Sequence, residues 1–110
     1  MALVAQNSLI GISVPETPEI RTEAILADSK HFELIECLAK WESGNNQNRK
    51  GQAGEIGCMQ FLPSTFSTFK EKYQLKIDIN SCEDQKFLAN EMLNDDISNV
   101  KHWTTRWFCL

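Results

Sequence analysis

The stretch His31-Phe32-Glu33-Leu34-Ile35-Glu36-Cys37-Leu38-Ala39-Lys40-Trp41-Glu42, closed at once by Ser43-Gly44, decides the reading of this chain. Leu34, Ile35, Leu38 and Ala39 recur at the i, i+1, i+4, i+5 spacing of one buried helix face. The next position of that stripe, i+8, is Glu42. A carboxyl group therefore points towards the core side, in the last turn of its helix. Burial and the negative end of the helix dipole both favour the neutral acid there. A carboxylic acid that holds its proton near neutral pH is a candidate general acid. The competing expectation is an ordinary amphipathic helix whose last turn frays into solvent.

Outward from this helix the chain is small. Its 110 residues, 42% of them hydrophobic, suit one globular domain with a single modest core. Of fifteen acids and eleven bases, four acids and one arginine precede residue 30, leaving eleven acids against ten bases in the remainder. A nearly neutral domain argues against nucleic acid as a partner, because polyanion binding needs a surplus of Lys and Arg. No apolar run is long enough for a transmembrane segment. Cys37, Cys58, Cys82 and Cys109 lack the paired spacing of a zinc site, and His31 and His102 flank no ligand pattern, so neither a metal nor a cofactor is expected. The even count is compatible with two disulfides in an exported protein, with all three connectivities open, and free buried thiols are the alternative. Met1 to Gly11 has no basic n-region and its apolar run is broken by Gln6, Asn7 and Ser8, so no signal peptide is read.

Residues 1–29 carry Pro15 and Pro18 and show no sustained period; they read as a tail or linker, with a short helix at most near Glu19 to Ala27. The domain is expected over 30–110. A first helix over about 30–42 leads into a polar loop, Ser43 to Glu55, containing Gly44, Gly51 and Gly54. Ile56 to Leu62 is apolar but too short for a helix, so it is expected to be irregular or extended. Pro63 opens a second helix reaching about Gln74, with Phe66, Phe69 and Tyr73 on one face. Ser81 and Asp84 resemble a capping box for a third helix, whose inner face is Leu88, Ala89, Met92 and Leu93 with an extension to Ile97 and Val100. No alternating strand is evident, and the class is mainly α.

Two motifs then stand in order: Glu42-Ser43-Gly44, and after the loop Gly54-Glu55-Ile56-Gly57-Cys58-Met59-Gln60-Phe61-Leu62-Pro63-Ser64-Thr65. Together they resemble the soluble lytic transglycosylase and goose-type lysozyme family, which typically carries Glu-Ser at a helix end and, after a loop, Gly-x-x-Gly-Leu-Met-Gln-x-x-Pro-x-Thr. The likeness covers roughly residues 31–70. It implies a small lysozyme-like domain of bacterial or phage origin, secreted, periplasmic or attached to the cell envelope. The implied partner is the peptidoglycan glycan strand, cut between N-acetylmuramic acid and N-acetylglucosamine.

By that resemblance Glu42 is the catalytic acid and then base, and no metal or cofactor takes part. A lytic transglycosylase works with one such Glu and releases a 1,6-anhydro sugar, whereas a hydrolytic muramidase needs a second carboxylate. Glu55 and Asp78 are the available second acids, both read first as surface charges. A module that only binds glycan is the remaining alternative. Ser43 is expected near the acid or the substrate, or else as a cap of its helix; Met59 on the cleft wall, or else in the core. Gln60, a polar amide in an apolar segment, needs a backbone or sugar partner and is assigned to the cleft. Gly57 is assigned a close backbone approach to the sugar. Family members often place a late Tyr against the catalytic Glu; none follows Tyr73 here, so Tyr73 or Trp103 is the expected substitute. His102, Trp103 and Trp107 are candidate sugar platforms, with core packing as the alternative. Cys58 stands where the family has Leu, and a domain of about 80 residues implies a shallow cleft.

Overall fold

Three helices supply most of the core. In a computed structural model, which describes residues 29–110, they are α1 (Phe32–Ser43), α2 (Pro63–Lys72) and α3 (Cys82–Asp95). The segment read as a tail, Ser29 excepted, and the short helix expected near Glu19 lie outside the described residues. From α1, Ile35, Leu38 and Ala39 are buried as the stripe requires, while Leu34 at its edge is half-buried. They meet Leu88, Ala89, Met92 and Leu93 of α3, together with Phe66 of α2. Among the described residues the regular structure is helical, and the class is mainly α.

Each helix boundary has a local cause. Gly44 and Asn45 both take positive φ, and their N–H groups satisfy the carbonyls of Lys40 and Ala39 as the chain leaves α1. Pro63 occupies the first turn of α2. Ser81 Oγ accepts from the Asp84 N–H at 3.2 Å, the cap expected at the start of α3. Asp84 Oδ2 accepts from the Asp78 N–H at 2.9 Å, so the connection before α3 is braced as well as capped. The extension of α3 to Val100 also fails. Asp96 adopts φ −157° and ψ 114°, and its carboxylate caps Ser98 N–H to start a separate 3-10 turn. Two 3-10 segments follow, η1 (Ile97–His102) and η2 (Thr104–Phe108).

The loop between α1 and α2 is irregular, as its length and glycines suggested. Single antiparallel bridges pair Lys50 with Ile56 and Ile56 with Phe61, and residues 57–60 turn between them. Gly57 (φ +85°) and Gln60 (φ +53°) make that turn. Two disulfides close the domain, Cys37–Cys109 from α1 to the C-terminal end and Cys58–Cys82 from the loop to the start of α3. Spacing alone had left three pairings open. No helix among the described residues is long and apolar enough to cross a membrane.

Candidate functional site

Gln85 of α3 explains how the motif loop is held. Its amide is fully buried and makes three contacts: Oε1 accepts from Met59 N–H at 2.8 Å, while Nε2 donates to the carbonyls of Ile56 at 2.8 Å and Ile79 at 2.7 Å. Gly57 is glycine for this clamp as well as for its positive φ, since a Cβ there would lie 2.3 Å from Gln85 Nε2. The close approach that Gly57 makes is to the Gln85 side chain. Ser43 ties the same loop to α1: its hydroxyl lies 2.7 Å from the Cys58 carbonyl and 3.2 Å from that of Ala39, and accepts from Asn46 N–H at 3.0 Å. It is buried, and its partners are all backbone. Met59 has no exposed surface and belongs to the core, the second of its two expected roles.

These supports set Glu42 on the wall of a cleft of about 150 Å3. Gln60 and Glu55 line it from the loop, Phe61, Leu62 and Thr65 from the approach to α2, and His102, Trp103 and Thr104 from the C-terminal segments. A second shallow cavity shares Thr65 and His102 with the first and continues along α2 past Ser64, Thr68 and Phe69, so the depression is a groove. Gln60 spends its Nε2 on the carbonyls of Gly57 (2.8 Å) and Arg49 (3.1 Å), which fixes its side chain at the cleft. Glu55 is half-buried and Oε1 accepts from Ala53 N–H at 3.0 Å. Asp78, the other candidate second acid, lies away from this cleft, beside Lys76 and Asp84.

Trp103 reaches the cleft but is only 2% exposed. Its indole N–H donates to the Met59 carbonyl at 2.9 Å and its ring packs edge-on against Phe61, so it is a floor and not an open platform. Trp107, by contrast, is exposed, with the Arg106 guanidinium over its ring. Burial, aided by Lys101, holds the His102 imidazole below its usual range and favours the neutral ring on the cleft wall. Tyr73 is outside the cleft. Its hydroxyl donates to Asp95 at 2.8 Å, and burial, then that carboxylate, raises its pKa.

Neither substitute expected for the late tyrosine hydrogen-bonds to Glu42: Tyr73 donates to Asp95 and Trp103 to Met59. Thr105 does: its Oγ1 donates to Glu42 Oε2 at 2.6 Å. Sequence reasoning passed over this residue, because a threonine in a five-residue 3-10 segment has no helical stripe to mark it. Gln85 was legible in principle, being a polar residue three and four positions before Leu88 and Ala89 on the inner stripe. Among the described residues no three His, Cys, Asp or Glu side chains gather where a metal ion could sit.

Compared with known families, residues 20–109 match the family described as transglycosylase SLT domain. No curated protein and no solved structure matches the chain.

Proposed function

The chain belongs to the transglycosylase SLT domain family, whose members act on peptidoglycan, and from that membership we propose that Glu42 cleaves the glycan strand as a lytic transglycosylase. The observation that carries the reading is the place of Glu42: half-buried at the end of α1, on the wall of a groove that Gln60 and Phe61 of the motif segment also line. The Glu42 carboxyl protonates the bridging oxygen as the bond from C1 of N-acetylmuramic acid to that oxygen breaks. The resulting carboxylate takes the proton of the same sugar's 6-hydroxyl, whose oxygen lone pair closes onto C1 and gives the 1,6-anhydro end. Glu42 is left as the acid, ready for the next bond, and no metal or cofactor enters the balance.

Gln60 presents its fixed amide at the groove, with Trp103 as floor and the neutral His102 as part of the wall. Ser43, Gly57 and Met59 act behind that wall, as the supports that set its shape, and Tyr73 takes no direct part. Residues 30–110 make up the lysozyme-like unit, preceded by a tail over 1–29. Two disulfides suit a protein that works outside the reducing cytosol, in the periplasm or beyond.

One observation favours a second reading. Glu55 lines the same cleft as Glu42, and a second carboxylate able to activate water would make the protein a hydrolytic muramidase. Digestion of purified peptidoglycan by the wild type and by Glu42→Gln, with soluble muropeptides read by mass spectrometry, tests both. Anhydro ends from the wild type alone are the expected result, and reducing ends would assign the hydrolase. Equal release by wild type and Glu42→Gln refutes the role of Glu42.

A further inference from the structure

Glu42 is the last residue but one of α1, and the chain turns away immediately after it at Gly44. A catalytic carboxyl at a helix end needs a partner from elsewhere in the fold to fix its rotamer. Among the described residues that partner is Thr105, 63 positions away in η2. η2 buries none of its own residues, so its position is not set by a core of its own. It is fastened at both ends instead. Before it, Trp103 is pinned through its indole N–H to Met59; after it, Cys109 is joined covalently to Cys37 of α1. Between these, Phe108 stacks on Trp41, the residue preceding Glu42, with ring centroids 4.7 Å apart and planes 21° from parallel. Arg106 donates to the Trp103 carbonyl at 3.0 Å and draws the segment's start inward.

We propose that Thr105 is the positioning residue of the catalytic acid, a hydroxyl that holds the Glu42 carboxyl in one orientation through both of its protonation states. The argument rests on the acid and base role of Glu42 given above. A group that gives up a proton and then takes one is held best by a neighbour whose hydrogen bond does not depend on that proton. The Thr105 hydroxyl donates to Oε2 of the carboxylate and, when the proton sits on Oε1, donates to the same Oε2 as the carbonyl oxygen of the acid. With Thr105 on Oε2, the Oε1 atom is left to carry the transferable proton. The hydroxyl adds no charge, so it orders the acid without opposing its protonation as strongly as a cation would.

The test compares Thr105→Val, which keeps the branched shape and removes the hydroxyl, with Thr105→Ser, which keeps the hydroxyl and removes the methyl. Both are assayed as the full oxidised chain on soluble uncross-linked glycan strands, beside Glu42→Gln. Loss of one hydrogen bond to an ionisable group is expected to lower kcat by roughly 10- to 100-fold in Thr105→Val. KM should stay within about twofold, since Thr105 acts on the acid and not on the sugar. Thr105→Ser should recover most of the rate. A wild-type kcat for Thr105→Val, or a Thr105→Ser as slow as Thr105→Val, overturns the proposal. If Glu42→Gln retains full activity, the underlying assignment of the acid fails instead, and the two failures are told apart within one experiment.

Discussion

Replacing Gln85 by Met keeps an unbranched side chain of similar size and deletes the whole clamp on the motif loop. Three hydrogen bonds disappear, but their loss is not equal. The Ile56 carbonyl still accepts from Phe61 N–H at 3.1 Å, whereas Met59 N–H and the Ile79 carbonyl have no other described partner. The buried Met59 N–H and the partly buried Ile79 carbonyl, left unpaired, cost about 2–6 kcal/mol, at roughly 1–3 kcal/mol each. Burying a thioether in place of an amide returns about 1 kcal/mol of that. A net loss of about 3 kcal/mol is a large share of the 5–15 kcal/mol that such a domain typically has. With a urea slope of about 1 kcal/mol/M, the midpoint should fall by about 3 M.

Urea unfolding of the oxidised protein, followed by tryptophan fluorescence, reads this directly. The same measurement on Gly57→Ala and on the double variant adds a sharper check. Gly57→Ala should be destabilising alone, through its positive φ and through collision with the Gln85 amide. In the Gln85→Met background no hydrogen bonds hold the side chain against the new methyl, so the flexible thioether can swing aside and mainly the backbone strain, about 1–2 kcal/mol, should remain. A midpoint shift under about 1 M for Gln85→Met, or full additivity of the two changes, would refute the clamp as the loop's anchor.

Opening the disulfides should cost more for the longer closure. In the chain-entropy account, Cys37–Cys109, whose ends are 72 positions apart, is worth about 4 kcal/mol, and Cys58–Cys82, 24 positions apart, about 3 kcal/mol. Urea midpoints of the two Cys→Ser pairs check that order, and a larger loss from the shorter loop would contradict it. Tyr73 is the chain's one tyrosine, so its absorbance titration is unambiguous. Its midpoint should lie well above the ordinary value of about 10, because burial and then Asp95 oppose ionisation. Asp95→Asn should lower that midpoint without returning it to the ordinary value, burial being the larger cause. Since the folded phenol holds its proton more tightly than the unfolded one, this contribution to stability is complete below about pH 10 and fades as the pH rises beyond it. A midpoint at the ordinary value would remove the effect.

Local pattern was enough to mark the three core helices and to single out Glu42. Periodicity is a local property, so Ile35, Leu38 and Ala39, then Leu88, Ala89, Met92 and Leu93, could be assigned to a core before any contact was known. The same reasoning singled out Glu42 as the residue out of place on its stripe. Where the pattern met a local competitor it misled: the apolar spacing of Ile97 and Val100 continued α3, but the Asp96 side chain captured Ser98 N–H and began a new turn. Motif reading left Ser43 and Met59 each with two roles, one at the substrate and one structural, and packing buries both.

The pairing of the cysteines, the clasp of Gln85 on the motif loop and the hydrogen bond from Thr105 to Glu42 come from packing in three dimensions. These contacts join residues 24 to 72 positions apart. Their partners are chosen by how three helices pack and not by any repeat along the chain. A hydrogen bond between two side chains depends on both ends arriving together, and neither residue's own neighbourhood in sequence carries that information.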